Sequence, residues 1–259
     1  MTSVGQNVWY DCMSTDTEAA IRFYTEVIGW KTQPWQNADP NNPYTLWLVG
    51  ERAIGGVMTL PDEARKMGAP SHWLAYTTVA DADATSARAE KLGGKIYKPP
   101  FDIPNVGRIA ILADPQNAVF AIYKPQGEMP ASAGEQPGEF CWSELNTTDY
   151  QGAWKFYSEL FGWRHRSSMD MGPAGTYFMF HDEAELTKGG MSNVAKQMGL
   201  PPHWLYYVNV ADMDATVERI KQHGGKILNG PMDVPGDDRI AQCQDPTGAA
   251  FAIYTRGKK

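Results

Sequence analysis

The spacing of apolar residues predicts one amphipathic helix near the start of each half of the chain. Apolar side chains recur at positions i, i+3, i+4 and i+7 within residues 20–27 and again within 153–160. Such spacing places them along one side of a helix, which is the side that packs on a core. The residues are Ala20, Phe23, Tyr24 and Val27 in the first stretch and Ala153, Phe156, Tyr157 and Leu160 in the second.

Helix-boundary signals flank both stretches. Residues 15–18 read TDTE, the Thr-x-x-Glu form of a capping box, and residues 148–151 repeat this form as TDYQ. Gly29 and Gly162 stand where each helix should stop, at a position that favours a positive φ. We therefore expect a threonine-capped helix that ends at a glycine in each half.

The two helices belong to a repeat that covers most of the chain. Residues 23–30 read FYTEVIGW and residues 156–163 read FYSELFGW. The similarity continues in further pairs of segments, which are 7–16 with 140–149, 71–85 with 202–216, and 100–123 with 231–254. A repeat of this length is a duplicated domain, because solenoid repeats are only about 20–50 residues long. Residues 125–138 between the copies are rich in Pro, Gly, Ala and Glu, and we expect an exposed linker there.

Strand and helix signals follow one order four times along the chain. Each time a β-favouring stretch is followed by a helix and then by three short strands. We call each βαβββ segment a module, and the four modules cover residues 7–60, 71–124, 139–194 and 202–255. The sequence thus predicts an α+β protein with two tandem domains of two modules each, residues 1–124 and 139–259.

Composition and charge exclude several classes of function. The chain has 259 residues, 42% of them hydrophobic, and a net charge of −7 with no long basic run. These features argue against nucleic acid and membrane partners. Three cysteines without CxxC spacing imply neither a disulfide framework nor a zinc site. The first residues lack the pattern of a signal peptide, so we expect a cytoplasmic protein.

The octets FYTEVIGW and FYSELFGW, with the closing segments DPQNAVFAI (114–122) and DPTGAAFAI (245–253), resemble the vicinal oxygen chelate superfamily. This superfamily groups glyoxalases, bleomycin-resistance proteins and extradiol dioxygenases. The resemblance implies that two modules join into a curled mixed sheet, with helices outside and a ligand in the resulting cup. It also implies a divalent metal in the cup of many members. Their metal is held by a His seven residues before the helix-opening acid and a Glu seven residues after the Asp of the DP turn.

This chain has no metal-ligating side chain at the positions that the resemblance designates. A catalytic metal site needs about three nitrogen, oxygen or sulfur ligands from the protein. The positions fall on Trp9, Trp142, Leu74, Leu205, Ala121 and Ala252, and near the pairs Gly55-Gly56 and Gly189-Gly190. We therefore predict that the usual metal site does not form and that no metal cofactor is bound there.

Other candidate ligand-binding residues lie two positions along the same strands, where side chains point to the same face. Asp11 and Glu144 follow the two tryptophans, His72 and His203 precede the two leucines, and Tyr76 and Tyr207 follow them. Asp11 and Glu144 are the candidate catalytic acids or bases. Alternatively, these carboxylates are satisfied by buried backbone groups or by an arginine such as Arg108 or Arg239, and the histidines cap the rim of the strands. Residues 165–175 form a surface loop or a lid.

Three functions remain open. The first is a metal-free protein that binds a small organic molecule, with Trp9 and Trp142 as stacking platforms. The second is a metal-free isomerase or lyase that uses Asp11 or Glu144 for proton transfer. The third is a metal-dependent glyoxalase-type lyase or dioxygenase with unfamiliar ligands. The internal duplication makes a monomer sufficient, and a homodimer is the alternative.

Overall fold

The computed structural model describes residues 4–127 and 134–257. The first half contains β1 (Asn7–Ser14), α1 (Thr17–Val27), β2 (Lys31–Pro34), β3 (Tyr44–Val49), β4 (Arg52–Thr59), α2 (Asp62–Lys66), β5 (His72–Thr78), α3 (Ala82–Lys91), β6 (Lys95–Ile103), β7 (Gly107–Ala113) and β8 (Val119–Pro125). The second half contains β9 (Phe140–Asn146), α4 (Tyr150–Phe161), β10 (Arg164–Asp170), β11 (Thr176–His181), β12 (Lys188–Ser192), α5 (Val194–Met198), β13 (His203–Asn209), α6 (Met213–Gln222), β14 (Lys226–Val234), β15 (Asp238–Gln244) and β16 (Ala250–Thr255).

The strands form two mixed eight-stranded sheets, one in each tandem domain. The order is β2-β3-β4-β1-β5-β8-β7-β6 in the first and β10-β11-β12-β9-β13-β16-β15-β14 in the second. In both sheets the first strand of a module runs parallel to its last strand, and the remaining pairs within a module are antiparallel. The βαβββ order predicted from the sequence is therefore present four times, and the α+β class is confirmed.

The helices begin one residue later than the predicted capping boxes. The side chain of Asp16, not that of Thr15, accepts from the N–H of Ala19 at 2.9 Å. Asp149 caps α4 in the same way. The expectation of a threonine cap was wrong because Asp, an equally good N-cap residue, follows each threonine. The predicted ends are confirmed, since Gly29 and Gly162 both have positive φ, 86° and 72°.

The chain folds into two compact units that do not coincide with the tandem domains. One unit contains α3, α4, strands β6–β8 and strands β10–β12, and the other contains α1, α6, strands β2–β4 and strands β14–β16. Each compact unit thus has elements from both tandem domains. The module boundaries proposed from the repeat remain a prediction.

The repeated octet supplies the core of each compact unit. Phe156 is 2% exposed and contacts Phe120. A Cβ on Gly94 would lie 3.0 Å from the Phe156 ring, so this glycine allows the aromatic side chain to pack closely. Phe23 has the same environment in the other unit, against Gly225 and Phe251. The octet is therefore used for packing, as its helical spacing predicts.

Part of the predicted linker is bound to the protein. Residues 128–133 lie outside the described residues. Asn209 donates from its Nδ2 atom to the carbonyl oxygens of Gly134 and Glu135 at 3.2 and 2.9 Å, and Gly138 N donates to its carbonyl at 2.7 Å. Trp30 Nε1 also donates to Gly138 O at 2.8 Å. Residues 135–137 are exposed, as expected of a linker, whereas Gly134 and Gly138 are buried and held by these hydrogen bonds.

Residues 165–175 also differ from the expectation of a long loop. Residues up to Asp170 belong to β10, and Gly172–Ala174 form a short 3-10 turn. Gln197 on α5 holds this turn by donating to the carbonyl oxygen of Ala174 at 2.9 Å. The segment is therefore a strand and an anchored turn. Within the part of the chain that the structure describes, no helix is long and apolar enough to cross a membrane.

Candidate functional site

A buried carboxylate and a tyrosine meet on β1 and β3 of the first domain. Asp11 is 4% exposed and accepts a hydrogen bond from the Tyr44 hydroxyl at 2.5 Å. Asp11 lies directly across from Gly56 on β4. A Cβ on Gly56 would be only 2.1 Å from Tyr44 Cζ, so the far end of the tyrosine ring covers the glycine. We call Tyr44 and Asp11 the first Tyr–carboxylate pair.

The second domain repeats this arrangement with Glu144, Gly190 and Tyr177. Glu144 is 7% exposed and lies across from Gly190, which is covered by Tyr177. Tyr177 donates to Glu144 Oε2 at 3.0 Å and accepts from Trp142 Nε1 at 2.8 Å. Asn146 Nδ2 donates to Glu144 Oε1 at 3.1 Å. We call Tyr177 and Glu144 the second Tyr–carboxylate pair.

These pairs define the inner face of each sheet, the face that carries Asp11 or Glu144. The opposite face of each sheet points to the helices. Trp73 on β5 donates from Nε1 to the hydroxyl of Tyr24 on α1 at 2.8 Å, and Trp204 on β13 donates from Nε1 to the hydroxyl of Tyr157 on α4 at 3.2 Å. Trp9, Trp142, Tyr44 and Tyr177 are half-buried. Their ring surfaces, unlike the two carboxylates, are therefore partly accessible to solvent.

The remaining tyrosine candidates lie deep in their sheets. Tyr76 is 7% exposed and pairs in register with Ala121. Tyr207 is 2% exposed, pairs with Ala252 and accepts from Gln242 Nε2 at 3.4 Å. Their burial identifies them mainly as packing residues.

The histidine candidates take part in local backbone contacts. His72 Nδ1 lies 2.8 Å from the carbonyl oxygen of Pro70, and His203 Nδ1 lies 2.9 Å from that of Pro201. Burial lowers the pKa of His72 from its ordinary value. Both histidines stand at the first residue of their strands, as the structural interpretation of the sequence expects.

The alternative arginine partners do not reach the carboxylates. Arg108 binds Asp83 and Asp102, and Arg239 binds Asp214 with Asp233 nearby. Sequence patterns did not reveal the tyrosine partners, Tyr44 and Tyr177. The available signal was that these tyrosines occupy equivalent places in the two copies, each preceding a Gly-Gly pair.

The family model of the Glyoxalase/Bleomycin resistance protein/Dioxygenase superfamily matches residues 8–122 and again residues 140–253. The chain belongs to this superfamily. Its two tandem domains are glyoxalase-like, which confirms the resemblance seen in the sequence.

Relatives of known name within this superfamily align over nearly the whole chain. A Mycobacterium tuberculosis protein named "Putative glyoxylase CFP32" is 30% identical over 250 residues, which are 95% of this chain and 92% of the relative. The anthracycline biosynthesis protein DauV of Streptomyces sp. (strain C5) is 29% identical over 272 residues, 96% of this chain and 92% of the relative.

Solved structures of superfamily members share the fold. The Mn(II)-bound glyoxalase from Novosphingobium aromaticivorans superposes with a TM-score of 0.65 at 15% identity, covering 100% of this chain and 84% of that protein. The 2,3-dioxygenase LapB from Pseudomonas sp. KL28 gives a TM-score of 0.64 at 12% identity, covering 99% and 94%. At such identities the likeness concerns the fold alone.

The superfamily's metal implied by the resemblance does not fit the residues of this chain. Leu74 and Leu205 are 2% and 4% exposed, and the two alanines at the closing strands are fully buried; none of these side chains can ligate a cation. Within residues 4–127 and 134–257, no three His, Cys, Asp or Glu side chains are grouped as metal ligands. The space over Gly56 and Gly190 is taken by tyrosine rings. The inner faces thus present aromatic rings and hydroxyl–carboxylate contacts where a metal would need donor side chains.

Proposed function

We propose that this protein binds a small organic molecule at the inner faces of its sheets without a metal ion at the superfamily's ligand positions. The observation that carries the proposal is the Tyr–Gly–carboxylate arrangement found in both domains. In each domain, a glycine makes room for a tyrosine ring on the strand that would have to supply a metal-ligating side chain. The tyrosine hydroxyl is held by the carboxylate instead.

The accessible surface around these pairs suits a flat ligand. Half-buried Trp and Tyr rings provide large apolar areas at little conformational cost, and small-molecule sites are typically lined by such rings with a few fixed polar groups. Two relatives are named anthracycline biosynthesis proteins, DauV and DnrV. Anthracyclines contain a flat fused-ring system, which supports a ligand of this shape. The absence of nucleic acid partners and a cytoplasmic location remain parts of the proposal.

Tryptophan emission provides the test. Titration of the full-length protein with a flat aromatic probe such as 2-naphthol should change the emission, because Trp9 and Trp142 belong to the inner faces. The double variant Trp9→Phe and Trp142→Phe should lose most of this response while it retains the fold by circular dichroism. A matched control is Trp35→Phe. The indole of Trp35 lies edge-on to the Tyr44 ring, and the two ring centroids are 5.9 Å apart. A full response in the double variant would contradict the proposal.

A metal-free isomerase or lyase is the second candidate, and the hydrogen bond from the Tyr44 hydroxyl to the buried Asp11 carboxylate favours it. A carboxylate in contact with a hydroxyl is a group that can serve in general acid–base catalysis. For any substrate found to turn over, Asp11→Asn and Glu144→Gln should abolish turnover and retain substrate binding. Unchanged turnover in both variants would exclude acid–base catalysis by these residues.

A further inference from the structure

Four aromatic side chains meet on the helix side of the second sheet, opposite its inner face. Phe178 on β11 lies at their centre, and it points away from the inner face because Tyr177, its neighbour on the strand, points toward it. The exposed ring of His165 on β10 stacks on Phe178 with the centroids 4.4 Å apart. The half-buried rings of Trp154 and Tyr150 on α4 have centroids 4.8 and 5.9 Å from that of Phe178. We call Tyr150, Trp154, His165 and Phe178 the outer aromatic cluster.

The first domain forms the same helix and strands without these rings. The corresponding residues of the first copy are Thr17, Ile21, Thr32 and Thr45. They lie on α1, β2 and β3, which are the counterparts of α4, β10 and β11. Since the module folds with three threonines and an isoleucine, its fold does not require the outer aromatic cluster. The change at four positions that meet in space therefore has a reason other than folding.

A β-bulge brings His165 into the cluster. β10 is an edge strand, and its pairing with β11 shifts register between His165 and Ser167. His165 and Ser168 are three residues apart and would point to opposite sides of a regular strand. With the bulge they share one side, where His165 Nε2 lies 3.1 Å from Ser168 Oγ. The equivalent strand β2 pairs with β3 without a shift. Bulges often redirect a side chain at sheet edges and beside functional sites.

The outer aromatic cluster has hydrogen-bond donors that the protein does not use. Among the residues that the structure describes, neither the indole N–H of Trp154 nor the hydroxyl of Tyr150 has a hydrogen-bond partner, and both groups reach solvent. An indole N–H can only donate. Arg164 and Arg166, the neighbours of His165 on β10, are each ion-paired with a glutamate, at 2.7 and 3.6 Å. The group that best complements the cluster is therefore an uncharged acceptor attached to an apolar ring.

We propose that the outer aromatic cluster is a second ligand site, which binds a neutral, flat aromatic molecule that carries a carbonyl group. The rings contact the flat part of the ligand, and the indole N–H of Trp154 donates to the carbonyl oxygen. This combination of apolar rings with a few polar groups is typical of small-molecule sites. The cluster lies on the opposite side of the sheet from the inner face, so the proposal does not depend on the proposed function.

The indole N–H resonances of the isotope-labelled, full-length protein provide the test. The chain has nine tryptophans, and Trp154→Phe identifies the resonance of Trp154 by its loss. Titration with 2-acetylnaphthalene should shift this resonance, because its N–H gains an acceptor. Naphthalene, which has no acceptor, should bind at this site about fivefold more weakly, the ratio expected for one neutral hydrogen bond. An unmoved Trp154 resonance, or equal affinities for the two probes, would overturn the proposal.

Variants that carry the first-copy residues assign the binding to the cluster. Phe178→Thr should weaken the binding of 2-acetylnaphthalene at least tenfold, and it retains Trp154 as the reporter. His165→Thr replaces an exposed ring, so the core stays intact, and it should also weaken binding. Phe101→Thr, the same change at a half-buried ring on β6, is the matched control and should retain the wild-type affinity. Wild-type affinity in Phe178→Thr or His165→Thr would overturn the proposal and leave the proposed function of the inner faces standing.

Discussion

The two halves of the chain share their octet aromatic residues on the helix side of the sheets, and on the inner side they share a tyrosine over a glycine but differ at two strand positions. Phe23 and Phe156 of the octets are both buried and both pack against a glycine of another module. On the inner side, Asp11 corresponds to Glu144, and Met13 corresponds to Asn146. Packing thus accounts for the shared octet phenylalanines, whereas the inner faces differ at these two strand positions.

Replacement of the octet phenylalanines should have the largest effect on the free energy of unfolding, and this effect should be alike in both halves. Phe23→Ala and Phe156→Ala remove buried rings and leave cavities, so each should lower the free energy of unfolding by about 3–5 kcal/mol. Chemical denaturation of the two variants measures this. Trp35→Phe, on a partly exposed ring, serves as a control for aromatic replacement. A loss confined to one half would disprove the equivalence of the two cores.

The buried aspartates of the DP turns predict a pH dependence of stability. Burial raises the pKa of Asp114 from 3.8 to about 6, and burial also raises that of Asp245. Because the folded value lies above the unfolded value, protonation favours the folded state. This contribution is fully present below about pH 4 and is lost as the pH rises through about 6.

Asp114→Asn should remove that part of the pH dependence. The wild-type contribution is about 3 kcal/mol across the window, at about 1.4 kcal/mol for each unit of difference between the folded and unfolded pKa. Asparagine keeps an oxygen for the N–H groups of Gln116 and Ala118, which bind Asp114 at 2.9 and 2.8 Å. Unfolding titrations between pH 4 and 7 give the measurement, with the exposed Asp62→Asn as control. An unchanged pH profile in Asp114→Asn would assign the effect to other groups.

Replacement of the glycines that the tyrosine rings cover should lower the free energy of unfolding by a smaller amount. Truncation of the tyrosine should relieve most of this loss. Gly56→Ala and Gly190→Ala force the added Cβ against a tyrosine ring and should cost about 1–3 kcal/mol. Combined with Tyr44→Ala or Tyr177→Ala, respectively, the same glycine change should cost far less, because the obstructing atoms are removed. Double-mutant cycles of unfolding free energy give the coupling.

Gly55→Ala is the matched control for this cycle. A Cβ there would lie 1.9 Å from the backbone oxygen of Tyr10, so no side-chain truncation relieves it. An additive cycle at Gly190 and Tyr177 would show that the ring does not occupy the space over the glycine.

The exchange of Asn146 and Met13 should have the smallest effect on stability and bears on the difference between the inner faces. Asn146→Met deprives Glu144 of one donor and should cost about 1–2 kcal/mol, in the range for an incompletely paired buried group. Met13→Asn is the reciprocal change beside Asp11, and chemical denaturation of both variants measures their free energies of unfolding. An unchanged free energy of unfolding in Asn146→Met would show that the hydrogen bond from Asn146 to Glu144 does not stabilise the second domain.

Much of the fold was predictable from the sequence, because local patterns determine it. Apolar spacing located the helices, and internal repetition gave the βαβββ order and the tandem domains. The N-caps were displaced by one residue because Thr and Asp, both good caps, stand side by side. The short helices α2 and α5 were missed because five residues are too few for a periodic signal.

The candidate site was predictable only in part. The strand positions of Asp11 and Glu144 followed from alternation and from the resemblance to a known family. Their tyrosine partners lie 33 residues away along the chain. That contact depends on the pairing of β3 with β4 and β4 with β1, a tertiary register that no local pattern specifies. The same holds for the assembly of the compact units, in which Phe156 packs against Gly94 of the other tandem domain.

Metal independence of binding is the decisive property to measure. The full-length protein, purified without chelator and analysed for metals, is divided and one part is treated with EDTA and dialysed. Both parts are then titrated with 2-naphthol by tryptophan emission. We expect the same dissociation constant in both parts and no stoichiometric metal before treatment. Loss of binding after EDTA, with recovery on addition of Mn²⁺ or Zn²⁺, would contradict metal-free binding.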